Sequence, residues 1–255
     1  MKNINIQTLV RWAVMSVLFM SKTVSAQSSN PFGIPTDEIQ TPAANVVAAP
    51  GSRAQGWLNQ GRSEVIARHG IVATSDTLAA QAGLEILQRG GNAIDAAVAA
   101  GAVLDVTSQN DTGIAGDLFA LVYIAEEQKL YALNSAGWAP IGWTPEFFKD
   151  ELGLEGVPGS GVNAATVPGA ISGYDALLER FGSLGFEETF ERAAQIAEEG
   201  WGQGERRHRD LISAQSRLSN DEYSAQIFLE DGKAPDLYSI ISNPDLADAL
   251  RLIQK

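Results

Sequence analysis

Two consecutive segments near the middle of the chain carry apolar residues at helical spacing. The first follows Asp76 or Thr77, either of which is a suitable N-cap, and it stops at Gly90-Gly91, because glycine tolerates the positive φ at which many helices end. Its stripe comprises Leu78, Ala82, Ile86 and Arg89, with Leu87 beside it. The pattern predicts an amphipathic helix.

The second segment, residues 93–106, is almost entirely alanine and valine and follows Asn92, a favourable N-cap. Small side chains allow neighbouring elements to approach closely, so this helix is expected to be buried on most sides. Upstream, residues 64–74 predict a pair of short strand segments that turn near His69-Gly70. The apolar residues of these segments are Val65, Ile66, Ile71, Val72 and Ala73.

A β-hairpin is predicted downstream of the two helices. Residues 118–124 form an uninterrupted apolar run of strand length, which indicates a strand buried on both faces. Residues 126–128 supply a polar turn, and residues 130–133 supply the partner strand. The following loop, residues 134–140, brings Trp138 next to small residues. Two interpretations of Trp138 remain open: it lines a pocket, or it covers one end of the core.

The rest of the chain is predicted to be mostly helical. Helical spacing recurs over residues 171–181, 187–199, 206–218 and 244–254, and Thr144-Pro145 opens a further helix with proline in its first turn. A hairpin with helices on both sides of it in the sequence indicates an α/β layered fold. Such a fold does not by itself specify a reaction.

The first 26 residues have the pattern of an export signal. Lys2 and Arg11 precede an apolar run, and Val24-Ser25-Ala26 provides the small residues that a signal peptidase needs, so cleavage is expected before Gln27. The run is too short to span a bilayer comfortably, so we expect a periplasmic or secreted protein without a membrane partner after cleavage. Residues 27–63, rich in Pro, Ser and Gly, are interpreted as an extended lead-in.

Composition argues against several kinds of chemistry. A formal net charge of −13 disfavours a nucleic-acid surface, and the basic cluster at residues 206–209 is interpreted as a solvated helix face. The chain has no cysteine and only two histidines, His69 and His208, so we predict no disulfide, thiolate nucleophile or histidine zinc site. His69 is expected to be an ordinary histidine beside a strand. We assign no cofactor, no metal and no catalytic residue to this chain.

Two blocks of sequence resemble gamma-glutamyltransferases. The first covers residues 70–75 and 82–99 and contains the specific run Arg89-Gly90-Gly91-Asn92-Ala93-Ile94-Asp95-Ala96-Ala97. The second is Thr166-Val167-Pro168-Gly169-Ala170-Ile171-Ser172-Gly173. With the helices that follow, the resemblance covers residues 64–255. The chain is similar to the larger, N-terminal subunit of this family, and because it ends inside a predicted helix, we expect that this subunit is truncated.

The resemblance implies an N-terminal nucleophile hydrolase, a four-layer αββα sandwich built from two subunits after self-cleavage. In this family a threonine made N-terminal by cleavage attacks gamma-glutamyl amides such as glutathione. That threonine belongs to a later part of the precursor than Lys255. The implied partners are therefore a small-molecule gamma-glutamyl or acyl amide and the C-terminal small subunit, and the fragment alone is expected to be inert.

Family members usually carry an arginine shortly before an Ala-Pro pair, where it binds the α-carboxylate of the substrate. The matching position here is Ala136, and no arginine lies in residues 134–138. Ala115 and Asp117 also stand where glycine is common. The expected substrate-binding residues are Ser135, Ala136, Gly137 and Trp138. Two alternatives to gamma-glutamyl chemistry follow: a divergent acylase of the same family acting on a non-glutamyl amide, and a non-catalytic exported binding module.

Overall fold

The computed structural model describes residues 65–255, so the predicted export signal and lead-in lie outside the described residues. The α-helices within this range are α1 (Thr77–Gln88), α2 (Ala93–Thr107), α3 (Ala170–Phe181), α4 (Phe186–Glu199), α5 (Glu205–Leu218), α6 (Glu222–Phe228) and α7 (Pro244–Ile253). The strands are β1 (Leu118–Ile124), β2 (Lys129–Ser135), β3 (Trp201–Gly202) and β4 (Ile240–Ile241).

Local sequence signals set the bounds of α1 and α2. The Asp76 carboxylate accepts hydrogen bonds from two backbone N–H groups of the first turn of α1, at 2.7 and 3.2 Å, so Asp76 is the N-cap. After α1, Gly90 adopts a φ of +94°, as predicted for a glycine stop. The Asn92 side chain accepts from Ile94 N at 2.8 Å and caps α2.

Helix α2 contributes much of the core, as its alanine and valine content predicted. It packs against α1, α3 and α4, and α7 packs against α4. Phe190 of α4 is fully buried, with its ring edge-on to Tyr174 at 5.8 Å and to Phe186 at 5.0 Å between centroids. Leu250 of α7 is also fully buried. The core is therefore mainly a helical layer.

Strands β1 and β2 form the predicted antiparallel hairpin, with Leu118 opposite Ser135 and Ile124 opposite Lys129. One face of the hairpin packs against α3 and the core. The other face is exposed, and its large apolar residues, which are 59–74% exposed, are Phe119, Leu121, Tyr123 and Leu130. The prediction that the first strand is buried on both faces is wrong for the described residues, because the helices cover only one face.

Other local predictions also differ from the structure. The described residues 65–74 form no strand, because none of the described residues pairs with them, and His69 is exposed there. The β3–β4 ladder and helix α6 were not predicted. The helix expected at Thr144-Pro145 is a brief turn that becomes π-helical over Phe147–Glu151. No helix in residues 65–255 is both long enough and apolar enough to cross a membrane.

Candidate functional site

The expected substrate-binding residues Ser135 to Trp138 leave the end of β2 and pass between two other segments. One is the glycine loop, residues 113–117, which leads into β1. The other is residues 166–169, which lead into α3. We call the backbone of residues 116–117, 135–138 and 167–169 the site frame. The structure thus brings together three segments that are distant in sequence.

Hydrogen bonds to the backbone hold residues 135–138 in place. Gly137 N donates to Asp117 Oδ1 at 2.8 Å, and Val167 N donates to Trp138 O at 3.1 Å. The Ala136 N–H donates to Asn134 Oδ1 at 3.0 Å. A hydrogen bond to a carboxylate is stronger than one between neutral groups, so Asp117 is a principal anchor of this loop.

The start of α3 forms the other side of the site frame. Gly116 O accepts hydrogen bonds from Gly169 N at 3.0 Å and from Ala170 N at 2.8 Å, which satisfies two amides at the helix N-terminus. The hydroxyls of Ser135 and Ser172 both donate to Gly169 O, at 2.8 and 2.9 Å. The frame is therefore held by bonds that connect all three segments.

Two glycines are required by the close approach of these backbones. A Cβ added at Gly137 would lie 1.4 Å from Val167 O, and a Cβ added at Gly169 would lie 2.2 Å from Ser135 O. Both contacts are with backbone atoms, which have no room to move aside. A side chain at either position would separate the segments.

The side chains at positions 136 and 138 point to solvent. Trp138 is 86% exposed, so the interpretation that it covers one end of the core is wrong for the described residues. Asp117, which is exposed, is the only charged residue in residues 113–117, 134–142 and 166–173. The site therefore presents backbone groups, an indole and one carboxylate. Whether Ser135 to Trp138 bind substrate stays a prediction.

A buried acid lies in α2, close to the site. Asp105 is 3% exposed and accepts a hydrogen bond from the Tyr174 hydroxyl at 3.2 Å. Burial raises the pKa of Asp105 to about 6, although hydrogen bonds from Tyr174 and Thr112 act in the opposite direction. Burial and the neighbouring Asp105 raise the pKa of Tyr174 as well. Tyr174 follows Gly173, which packs against Leu118 of β1.

The most specific block of the resemblance has a structural role. The fully buried Asp95 carboxylate accepts hydrogen bonds from Asn92 N, Ser183 N, Ser183 Oγ and Leu184 N, at 2.6–3.1 Å. The Asn92 amide donates to Phe181 O at 2.7 Å. The block therefore fastens the start of α2 to the connection between α3 and α4. It supplies no group to the site frame.

Sequence reasoning did not assign Asp117, Gly169 or Ser172 to the site. The last two lie in the second block of the resemblance, so that block was the available signal. The histidines are not part of the site either: His208 Nδ1 lies 2.9 Å from Pro235 O. Within residues 65–255, no group of three or more possible ligand side chains is placed to hold a metal.

Comparisons with known proteins agree with this arrangement. Residues 79–255 match the family model described as gamma-glutamyltranspeptidase. The glutathione hydrolase-like YwrD proenzyme of Bacillus subtilis (strain 168) is 35% identical over 190 residues, which are 74% of this chain and 36% of that protein. The chain spans about a third of the length of the curated relatives it matches.

Two solved structures resemble the fold. The gamma-glutamyltranspeptidase of Helicobacter pylori superposes with a TM-score of 0.71 at 30% identity, over 75% of this chain and 56% of that one. A cephalosporin acylase from Bacillus halodurans gives a TM-score of 0.72 at 36% identity, over 82% and 39%. The expected α/β fold, part of an N-terminal nucleophile hydrolase, is thereby confirmed. The chain belongs to the gamma-glutamyltranspeptidase family.

Proposed function

We propose that this chain is the large-subunit part, residues 64–255, of an exported enzyme that hydrolyses or transfers gamma-glutamyl groups from amides such as glutathione. The family membership supports the reaction class. The single structural observation that carries the proposal is the site frame, in which Asp117 and the α3 N-terminus hold residues 135–138 at one place with Ala136 and Trp138 exposed. The signal at residues 1–26 would direct the protein to the periplasm or the medium.

In the proposed reaction, the nucleophile is a threonine hydroxyl supplied by polypeptide outside this chain. Its own α-amino group accepts the hydroxyl proton, the hydroxyl attacks the amide carbonyl, and the amine leaves with a proton. Water or an acceptor amine then takes the acyl group from the threonine ester. The residues described here contribute a surface for the acyl group, through residues 135–138, and no group that bonds to it.

The test uses the protein expressed from its whole reading frame. Self-cleavage is expected to yield two bands on a denaturing gel, and N-terminal sequencing of the smaller band is expected to begin with threonine. Purified protein is then assayed with glutathione, γ-glutamyl-p-nitroanilide and a glutaryl amide. Residues 27–255 alone serve as the control and are expected to be inactive. An uncleaved protein that is inactive on all three amides would support a non-catalytic binding module instead.

A second candidate function is favoured by the exposure of Trp138. An indole that is 86% exposed, beside the Asp117 carboxylate and with no cation in the surrounding segments, suits an uncharged apolar acyl group better than one carrying a carboxylate. The similarity to a cephalosporin acylase points the same way. The candidate is an acylase that acts on a non-glutamyl amide.

Matched p-nitroanilides decide between the two candidates. If the acylase candidate is right, phenylacetyl p-nitroanilide should exceed γ-glutamyl p-nitroanilide in kcat/KM. Burial of about 50 Å² of indole surface against the acyl group contributes about 1.3 kcal/mol, which corresponds to about a tenfold difference in kcat/KM. Trp138→Arg should reverse this preference, and Trp138→Phe, which stays apolar, should keep it. Faster cleavage of the γ-glutamyl compound by the unmodified protein would favour the first candidate.

A further inference from the structure

The basic cluster on α5 only partly matches the solvated helix face that its sequence predicted, because the Arg206 side chain is 41% exposed yet pairs with another element. Arg206 and Arg207 turn towards the loop that connects α2 to the glycine loop. Arg206 Nη2 donates to Asp111 Oδ2 at 2.6 Å, and Arg206 Nε lies 3.5 Å from Asp210 Oδ2 on its own helix. Arg209 of the same cluster stays exposed.

Arg207 contacts the two loop residues before Asp111. Its Nη1 donates to Asn110 Oδ1 at 3.0 Å, and its Nη2 donates to Gln109 Oε1 at 3.3 Å. Burial lowers the pKa of Arg207, while Asp210 and Asp111 oppose this effect. Desolvation strengthens hydrogen bonds to a guanidinium, so the partly buried contact with Gln109 holds the loop more firmly than an exposed one would. One turn of α5 thus binds residues 109–111.

The bound loop leads directly into the site frame. Asp111 N and Thr112 N both donate to Ser108 O, at 2.8 and 3.0 Å, so residues 108–112 form a compact turn at the end of α2. The chain then passes through Gly113 to Gly116, whose carbonyl receives the amides at the start of α3. Residues 112–116 connect this turn to Asp117, the anchor of Gly137.

We propose that Arg206 and Arg207 are positioning residues for the substrate site: by holding residues 109–111, they set the position of the Asp117 carboxylate beneath residues 135–138. The inference rests on the proposed function, since it assumes that residues 135–138 contact the acyl group. Neither arginine touches the substrate, and both act through the loop that they hold. The principal contact is the Arg206–Asp111 ion pair, and the Arg207 contacts support it.

The experiment compares variants of the protein expressed from its whole reading frame. Arg206→Ala and Asp111→Asn should each raise KM for γ-glutamyl-p-nitroanilide about tenfold while kcat changes less than about twofold, because the loop orients substrate and carries no reacting group. Combining them should add little to either single effect. Arg206→Lys keeps the charge and should recover most of the loss. Arg209→Ala is the matched control and should leave KM unchanged.

A readout independent of activity accompanies the kinetics. Amide hydrogen exchange at residues 113–117 should become faster in Arg206→Ala and stay unchanged in Arg209→Ala. Unchanged exchange together with unchanged KM in Arg206→Ala would overturn the inference, and so would additive effects of the two variants. If the unmodified protein cleaves no amide, the proposed function fails, whereas the exchange result still tests whether Arg206 holds the loop.

Discussion

Replacing Asp95 with asparagine gives the sharpest test of how this fold is held together. The carboxylate is fully buried between the start of α2 and the connection from α3 to α4. Its Oδ1 accepts from Ser183 N at 2.9 Å and from Leu184 N at 3.1 Å. Its Oδ2 accepts from Asn92 N at 2.7 Å and from Ser183 Oγ at 2.6 Å. Asparagine has the same shape but places an NH₂ group at one of these two positions.

The cost of this change follows from the donors. Whichever way the amide turns, its NH₂ faces at least one backbone N–H, which then has no acceptor. The hydroxyl of Ser183 can rotate to accept, so we take the orientation with NH₂ towards Asn92 N as the cheaper one. Losing one bond to a charged acceptor and burying an unpaired N–H costs about 3 kcal/mol. For a protein of this size, that corresponds to a fall in Tm of about 6–12 °C.

The cost should also depend on pH. Burial alone raises the pKa of Asp95, but hydrogen bonds from Ser183, Asn92 and Leu184 outweigh it and leave the pKa below its ordinary value. A carboxyl whose pKa is lower in the folded state stabilises the fold above about pH 4 and loses that contribution as the pH falls through the folded-state pKa. The difference between Asp95→Asn and the unmodified protein should therefore shrink in acid.

Urea unfolding of the two proteins at about pH 7 and at several lower pH values measures both effects. Asp175→Asn is a suitable control, since Asp175 is an exposed aspartate on α3. It should change the unfolding free energy by less than about 0.5 kcal/mol. If Asp95→Asn matches this control at neutral pH, or if its deficit stays constant as the pH falls, the hydrogen bonds do not stabilise the fold as argued.

Three further outcomes are expected. Gly137→Ala should abolish amide cleavage and destabilise the protein by about 2–4 kcal/mol, because its Cβ would overlap Val167 O. Gly142→Ala is the control, since a Cβ there meets only open space, and it should change neither activity nor Tm in the same assays. Asp105→Asn should stabilise the fold by about 2–3 kcal/mol above about pH 6. The reason is that a carboxyl whose pKa is raised in the folded state lowers the free energy of unfolding as the pH rises from about 4 to 6. Urea unfolding across this pH range measures the gain, and a gain that does not change with pH would refute the argument. Phe190→Ala should cost about 3–5 kcal/mol in urea unfolding, and a loss below about 1 kcal/mol would mean that the buried aromatic cluster is not central.

The parts of the fold that local chemistry decides were predictable from the sequence. The stop at Gly90 and the cap at Asn92 depend on one or two residues each, and both are present in the structure. The hairpin follows from two apolar runs around a short polar turn. The strands predicted within the described residues 65–74 are absent, because a strand needs a partner and a local apolar pattern does not reveal whether one exists.

Long-range contacts were less predictable. From the sequence, Asp117 was noticed only because it replaces a glycine that is common in the family. Its hydrogen bond to Gly137 was not predictable, because it connects positions 20 residues apart. The contact of Arg206 with Asp111 was not predicted, because helix patterning does not show what approaches from another element. The hairpin has an apolar pattern on both faces, but its outer face is exposed for a related reason. The pattern shows which faces are suited to packing, and among the described residues only one face has helices packed against it.

The site frame consists of main chain, so its geometry does not depend on which side chains project from it at positions 136 and 138. Gly137 and Gly169 set how closely the segments approach, while the side chains at positions 136 and 138 project outward and make none of the hydrogen bonds that hold the loop. Exchanging an alanine or an indole there leaves the scaffold intact. Under the proposed function, single substitutions at these two positions would therefore change which acyl group is accepted without changing the architecture.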